Sequence, residues 1–277
     1  MLTSPRNPTI RFIRKLQRSA RDRRESGLFV AEGVRLIEEA ASSGLAPETV
    51  LYTEGLGERG EALLDLFRTQ GVQPTPVTEP VMAVASDART PQGLLAVLPI
   101  PEGPLPGPVD FLLVLDEVRD PGNLGAVLRT AAAAGVDGVL IGPGSADPYQ
   151  PKAVRAGMGA HFRLAVRAAE WPEIEAAVAG LTVFLADPSA ESAYTDADLS
   201  VPLALVIGGE AHGPGPESAR LDPSGLRIPM PGGTESLNAA VAAGVLVFEV
   251  VRQRNRESRI ENRSSKIENP KGGVDGG

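Results

Sequence analysis

Residues 111–135 read FLLVLDEVRDPGNLGAVLRTAAAAG. The first five form an uninterrupted apolar run, the pattern of a strand that is buried on both faces of a parallel sheet. A turn with Pro121 and two glycines follows, and the apolar residues after it predict a helix over 123–134 that ends at Gly135. A buried strand that leads through a glycine-rich turn into a helix is the repeating unit of α/β folds.

The same unit recurs towards the C-terminus. Apolar runs predict further strands at 138–141, 163–166, 181–185 and 203–207. Helices are predicted between them at 151–159 and 171–178, and a long apolar helix at 236–251 closes the series. Because strands and helices alternate, we predict an α/β domain over 111–251, with a parallel sheet and helices on both of its faces.

The regions that flank this domain have different compositions. Residues 1–98 predict a small α/β domain, with helices from residue 34 and over 61–69 and strands at 50–52 and 94–98. Residues 99–110 contain five prolines, which fix φ and lack amide donors, and therefore predict an extended interdomain linker. Residues 252–277 are rich in Arg, Asn, Glu and Ser and predict a disordered tail.

The composition excludes several classes of protein. Of the 277 residues 42% are hydrophobic, too many for a wholly disordered chain, yet no apolar stretch is long enough to span a membrane. No apolar segment follows the basic N-terminus, so we expect no secretory signal and a cytoplasmic location. Cysteine is absent and the histidines number two, His161 and His212, which argues against disulfides, thiolate chemistry and multi-histidine metal sites.

The charge is distributed unevenly along the chain. The net charge is −8, yet residues 1–24 hold eight basic side chains and one acidic one, Asp22. Such a segment can be the solvated face of an amphipathic helix, but its density of cations favours RNA or DNA as a partner. The candidate phosphate contacts are Arg6, Arg11, Arg14, Lys15 and Arg18.

Three glycine-rich turns carry the remaining candidate residues. The turn after residue 115 contains Asn123, which could cap the next helix, and leads to Arg129, which could pair with a carboxylate, extend into solvent or bind a ligand. The other two turns are 205–217, with Glu210, and 228–238, where Thr234 or Ser236 could cap the last helix. Neither the phosphate-loop nor the dinucleotide-binding pattern is present. Turns that follow neighbouring parallel strands meet at one edge of a sheet, so they predict a small-molecule pocket built from backbone groups.

Taken together, the turns resemble the motifs of the SpoU-type RNA ribose 2′-O-methyltransferases of the SPOUT superfamily. Residues 120–135, 206–213 and 228–238 resemble the first, second and third motifs, in the family's order and spacing. The N-terminal region more loosely resembles the substrate-binding domain that precedes many SpoU catalytic domains, through 4–8, 13–16 and 29–33.

This resemblance implies a fold, a cofactor and an assembly. The fold would contain a deep trefoil knot near the C-terminus, and the protein would be a homodimer without a metal. S-adenosylmethionine would be bound mainly by backbone groups of Gly208, Ile228 and Leu237, with Ala186 close by. The catalytic positions would be Asn123, Arg129, Glu210, Ser236 and Asn238.

The implied reaction is methylation of a ribose 2′-hydroxyl. The additional N-terminal domain favours 23S ribosomal RNA over transfer RNA as the substrate. The alternatives are a transfer RNA methyltransferase, a non-catalytic RNA-binding protein on the same fold, and an unrelated nucleotide-binding α/β enzyme. In the family Arg129 is assigned the activation of the hydroxyl, but a guanidinium holds its proton until about pH 12, so Arg129 could instead clamp the adjacent phosphate.

Overall fold

A computed structural model describes residues 1–101, 103–209 and 215–268 of the chain, with side chains up to residue 256. The strands lie in two sheets, one formed before residue 100 and the other after residue 110. The first contains β1 (Leu28–Glu32), β2 (Thr49–Tyr52), β3 (Thr75–Pro76) and β4 (Leu94–Pro99). Its order is β1-β4-β2-β3, with β4 antiparallel to both of its neighbours.

Helices cover both faces of this first sheet. They are α1 (Pro8–Arg18), α2 (Ala20–Ser26), α3 (Val34–Ser42), α4 (Gly57–Thr69) and α5 (Glu79–Ala85). Helices α3 and α4 pack on one face, where Phe29 and Phe67 are fully buried. On the other face α1 and α5 pack together, and α1 contributes Ile10, Ile13 and Leu16, all fully buried. The basic N-terminal segment is therefore an amphipathic helix that forms part of a core.

The second sheet is parallel throughout its described strands, as predicted. Its strands are β5 (Phe111–Asp116), β6 (Gly138–Ile141), β7 (Ala165–Ala168), β8 (Thr182–Ala186), β9 (Leu203–Gly208) and β10 (Ser224–Leu226), in the order β10-β8-β9-β5-β6-β7. The helices are α6 (Pro121–Ala134), α7 (Pro151–Gly157), α8 (Trp171–Ala177) and α9 (Ala239–Glu268). Helices α6 and α9 pack on one face and α8 on the other, which confirms the predicted α/β class.

Strand β10 was not predicted, and β7 lies two residues later than predicted. Strand β10 has only three residues, Ser-Gly-Leu, and therefore lacks the apolar run by which a buried strand is recognised. It pairs with β8 at the edge of the sheet, and Leu226 is its buried member. Its position depends on the tertiary pairing and not on local sequence preference.

Helix α9 corrects the prediction of a disordered tail from residue 252. The helix continues to Glu268, and residues 269–277 lie outside the described part. Two side chains just after residue 252 hold the helix against the rest of the domain. The Gln253 side chain accepts a hydrogen bond from the Leu199 amide at 2.8 Å, and Arg254 pairs with Asp110 at 2.8 Å. Along the described chain, no helix is both long and apolar enough to cross a membrane.

The two sheets are joined by more than the proline-rich stretch. Arg23, a residue only 3% exposed, pairs through its guanidinium with Asp147 at 2.6 Å, and the rings of Phe29 and Tyr149 lie 5.1 Å apart. A further ion pair joins Arg155 to Asp87 at 2.9 Å. These contacts hold the N-terminal part against α7 and the loop before it, so its orientation does not depend on the proline-rich stretch alone.

Candidate functional site

A cavity of about 340 Å³ opens at the carboxyl ends of β8, β9 and β10. Parallel α/β sheets bind ligands at this edge, because the loops that leave the strands converge there. The segment 228–237 and the first turn of α9 close the cavity from the other side. All of its walls therefore come from segments that follow neighbouring strands of the second sheet.

The residues predicted to bind the cofactor line this cavity together. Ala186 ends β8, Gly208 ends β9, Ile228 follows β10 and Leu237 precedes α9. Ser236, predicted as a catalytic residue, lines the same cavity. Other lining residues were not predicted, among them Asp187, Ser189, Ile207, Leu226, Met230 and Glu235. These residues lie close in sequence to the predicted ones, and this proximity is the sequence feature that could have identified them.

Two predicted catalytic asparagines, 115 positions apart in sequence, are in contact. The Asn238 Nδ2 donates to the Asn123 Oδ1 at 3.0 Å. The Asn238 Oδ1 accepts from the amides of Ala240 and Val241, at 3.0 and 3.3 Å, and so caps α9. This corrects the prediction that Thr234 or Ser236 caps the last helix.

Asn123 does not cap α6, because Asp120 does. The Asp120 carboxylate accepts from the Asn123 amide at 2.9 Å and also pairs with Lys152 at 2.7 Å. The pKa of Asp120 is lowered mainly by its hydrogen bond with the Lys152 ammonium. With the cap supplied by Asp120, Asn123 is the third residue of the helix, and its side chain contacts Asn238.

Arg129 lies on α6 and is exposed. Among the described residues its guanidinium has no ion-pair or hydrogen-bond partner. Arg129 follows Asn123 by six residues, a rise of about 9 Å along the helix axis. It lies outside the lining of the cavity.

Glu210, and His212 beside it, fall outside the described residues, but both flanks of that segment contact the end of β5. A Cβ on Gly209 would collide with the Glu117 carbonyl oxygen, so only glycine permits this approach. The Gly215 amide donates to the Asp116 carboxylate at 2.6 Å. Asp116 is 2% exposed, and this burial raises its pKa.

The predicted RNA contacts lie on the outer face of α1 and just before it. Arg6, Arg11, Lys15 and Arg18 are exposed and Arg14 is half-buried. Within the described chain none of these side chains has an ion-pair partner. Among the described residues, no group of three or more His, Asp or Glu side chains is arranged to hold a metal ion.

The second sheet and the cavity define a parallel α/β domain with a candidate ligand site at the carboxyl edge of that sheet. The SpoU rRNA Methylase family matches residues 110–248, and the MRM3-like substrate binding domain matches residues 7–96. The chain belongs to the SpoU rRNA methylase family.

Individual relatives agree with this assignment. The chain is 32% identical to the 23S rRNA (guanosine(2553)-2′-O)-methyltransferase RlmP of Bacillus subtilis, across 90% of this chain and 98% of that protein. It is 34% identical to the 23S rRNA (uridine(2479)-2′-O)-methyltransferase of Streptomyces viridochromogenes, across 84% of this chain and 85% of that protein. The AdoMet-bound rRNA methyltransferase of Sinorhizobium meliloti superimposes with a TM-score of 0.81 at 30% identity, across 91% of this chain and 97% of that one.

Proposed function

We propose that the protein transfers a methyl group from S-adenosylmethionine to a ribose 2′-hydroxyl of RNA, with 23S ribosomal RNA as the substrate. The observation that carries this proposal is the convergence of the three motifs. The four predicted cofactor residues line one cavity, and the Asn123–Asn238 bond brings the first motif to the third at the start of α9. The family and the reactions named for its relatives support it.

The residues around the cavity fit S-adenosylmethionine. The volume of about 340 Å³ lies within the range of small-molecule sites. Ile207, Leu226 and Met230 supply apolar walls for an adenine ring, while Asp187 and Glu235 supply carboxylates for the cationic groups of the ligand. When bound, S-adenosylmethionine supplies an electrophilic methyl group on a sulfonium.

The chain's own residues would position the nucleophile. Asn123 and Asn238 offer amide groups beside the cavity, suited to orienting a ribose and its hydroxyl. Arg129 is exposed, and in the described chain it has no partner, so its guanidinium is available to bind a phosphate in a bidentate manner. A guanidinium keeps its proton at neutral pH, so this role as a phosphate clamp that also stabilises developing alkoxide charge suits Arg129 better than that of a general base.

We infer a trefoil knot from the path of the chain after β10. Strand β10 lies at the edge of the sheet, next to β8. Arg227, which follows β10, forms two backbone hydrogen bonds with the segment after β8. Its amide donates to the Ser192 carbonyl at 2.9 Å, and its carbonyl accepts from the Tyr194 amide at 2.9 Å. The chain then returns across β8 and β9 as α9. A deep knot requires the chain after β10 to pass through the loop that follows β8, and the Arg227 contacts support this path because they place the two segments side by side.

The proposed homodimer has a candidate surface on α9. Val241 and Phe248 are 53% and 49% exposed, and Gly244 and Val245 between them are only half-buried, so these four residues form an apolar stripe at helical spacing. Charge substitutions in this stripe, Val241→Asp with Phe248→Asp, should turn a dimer into a monomer in light scattering. A wild-type protein that is monomeric at micromolar concentration would contradict the proposal.

The N-terminal part favours ribosomal RNA over transfer RNA as the substrate. It matches the MRM3-like substrate binding domain, and it presents a row of exposed cations on the outer face of α1. The alternatives are methylation of transfer RNA, and RNA binding without catalysis on the same fold.

Mapping of methylated riboses tests all three functions. The protein, S-adenosylmethionine and unmodified ribosomal RNA should produce one position that resists alkaline cleavage, whereas transfer RNA should remain fully cleavable. Calorimetry should show binding of S-adenosylmethionine that is lost when Gly208→Val fills the cavity. Cofactor binding without a protected position in either RNA would favour the non-catalytic alternative, and absence of cofactor binding would overturn the proposed function.

A further inference from the structure

Phe12 is an exposed aromatic residue on the basic face of α1. It is 39% exposed, whereas Ile10, Ile13 and Leu16 of the same helix are fully buried in the core. These three side chains already fill the inward face against the first sheet and α5, so Phe12 points away from the core. Phe12 therefore presents a large apolar ring outside the core, where part of it is accessible to a ligand.

Exposed cations lie near Phe12 on the helix surface. Lys15 follows at a spacing of three residues, which places it beside the ring, and Arg11, which directly precedes Phe12, is also exposed. Arg18 lies one turn further along the same face. All three are exposed, and within the described chain none has an ion-pair partner. No acidic residue occurs in α1.

This combination matches the chemistry of an unpaired nucleotide. An aromatic face stacks on a base that is not already stacked between neighbours, and flanking cations neutralise the phosphates on either side. In an RNA duplex the base faces are covered and side chains meet mainly phosphates and 2′-hydroxyls. The same surface therefore distinguishes single-stranded from double-stranded RNA.

We propose that Phe12 stacks on an unpaired base of the substrate RNA, while Arg11, Lys15 and Arg18 bind the adjoining phosphates. The inference rests on the proposed RNA substrate and deepens it: the N-terminal part recognises a single-stranded loop or bulge. Charge complementarity favours RNA over a second protein as the occupant of this face, because the exposed side of the helix that carries the ring also carries cations that an apolar protein interface would have to desolvate.

The test compares Phe12→Ala with Phe12→Tyr, which keeps the aromatic face, and with Leu66→Ala as a matched control. Leu66 is also exposed, by 41%, but lies on α4. Affinity for a single-stranded RNA oligonucleotide and for the duplex of the same sequence is measured over a range of salt concentrations. Loss of one stacked base is expected to weaken single-strand binding about 5- to 150-fold. Phe12→Tyr and Leu66→Ala should bind as the wild type does, and duplex binding should be unchanged in all variants.

Salt dependence separates stacking from charge. Phe12→Ala should leave the slope of log affinity against log salt unchanged, whereas Arg11→Gln and Lys15→Gln should each reduce it by about 0.7. Equal binding of single strands by Phe12→Ala and wild type, or equal losses on single strand and duplex, would overturn the stacking proposal. If either of these two results were found while cofactor binding and methyl transfer stayed intact, the proposed function would still stand. A wild-type protein without RNA affinity would overturn both the stacking proposal and the proposed function.

Discussion

At the scale of single residues, Arg129 and Asn123 occupy one helix but differ in their surroundings. Asn123 is bonded to Asn238, next to the cavity, whereas Arg129 is exposed and outside the cavity lining. An exposed guanidinium about 9 Å along the helix from Asn123 is suited to the RNA and not to the cofactor. We therefore expect substitutions of Asn123 and of Arg129 to impair the protein in different ways.

Arg129→Ala should lower kcat/KM about 100-fold or more, because it removes a charged contact that strengthens as the alkoxide forms. Its affinity for S-adenosylmethionine should equal that of the wild type. Arg129→Lys, which keeps the charge but not the bidentate geometry, should recover part of the activity. Tight RNA binding by Arg129→Lys with no methyl transfer would count against a role as clamp alone. Arg68→Ala, on α4, is the matched surface control.

Asp116 gives a second prediction at this scale, on pH and stability. Burial raises the pKa of this carboxyl, so the unfolded chain loses the proton at a lower pH than the folded protein does. The wild type should therefore lose stability as the pH rises through the ordinary range of an aspartate and beyond, up to the raised pKa. Asp116→Asn has no such proton to lose.

Urea unfolding of both proteins between pH 4 and pH 7 measures this effect. The unfolding free energy of Asp116→Asn relative to wild type should increase with pH. If this difference in unfolding free energy stayed constant or decreased with pH, the hydrogen bond from Gly215 and not burial would dominate the pKa of Asp116.

At the scale of elements, His161 lies where the two halves of the protein meet. It stands in the short 3₁₀ helix Ala160–Phe162, is 1% exposed, and its Nε2 lies 2.7 Å from the Pro148 carbonyl oxygen. Because a carbonyl can only accept, Nε2 carries the proton and donates. The pKa of His161 is lowered to about 4, mainly because the imidazole is buried.

This pKa predicts a loss of stability on mild acidification. The unfolded chain takes up the proton near pH 6.5 and the folded protein only near pH 4, so the stabilisation is complete above pH 6.5 and is lost as the pH falls towards 4. Between pH 7 and pH 5 the loss should be about 2 kcal/mol. His161→Gln, which keeps a donor for Pro148, should abolish this part of the pH dependence in urea unfolding. Equal pH profiles for wild type and His161→Gln would contradict the prediction.

At the scale of the whole molecule, the contacts between the N-terminal part and the second domain position the basic face of α1 relative to helix α6. Arg23 is buried and bonded both to Asp147 and to the Leu16 carbonyl at the end of α1. Helix α7, which follows Asp147, packs closely on α6: a Cβ on Gly125 would collide with the Ala153 carbonyl oxygen. A continuous set of contacts thus joins the N-terminal helices to the first motif.

Arg23→Ala should weaken this connection. Removing one partner of a buried ion pair costs about 3–5 kcal/mol, and unfolding should separate into two transitions in calorimetry. Arg21→Ala, which removes the exposed pair with Glu25, should cost less than about 1 kcal/mol and keep a single transition. A single transition in both variants would show that the aromatic contacts suffice.

The same packing decides how RNA binding should be probed. Deleting residues 1–24 would remove Ile10, Ile13 and Leu16 from the core together with the cations, so any loss of RNA affinity would be confounded by unfolding. Replacing the exposed Arg11, Lys15 and Arg18 by Gln leaves that core intact. These substitutions should reduce RNA affinity and its salt dependence while S-adenosylmethionine still binds.

The sequence alone determined what depends on neighbouring residues. The run 111–115, the turn after it and the apolar helix that follows predict β5 and α6 correctly, because burial pattern, proline and glycine act locally. The second and third motifs likewise pointed to Gly208, Ile228 and Leu237, which all line the cavity, although they gave no sign of Asp187. The basic N-terminal segment was detected by its charge.

Only the tertiary structure decided what depends on pairs far apart in sequence. Strand β10 exists because β8 lies beside it, and α9 continues past residue 251 because Leu199 and Asp110 bind its side chains. The Asn123–Asn238 bond and the burial of α1 against the first sheet also require segments whose proximity no local pattern encodes. The physical reason is that such contacts gain their free energy from groups that the folded chain brings together, whereas a local pattern reports only which face of a segment is apolar.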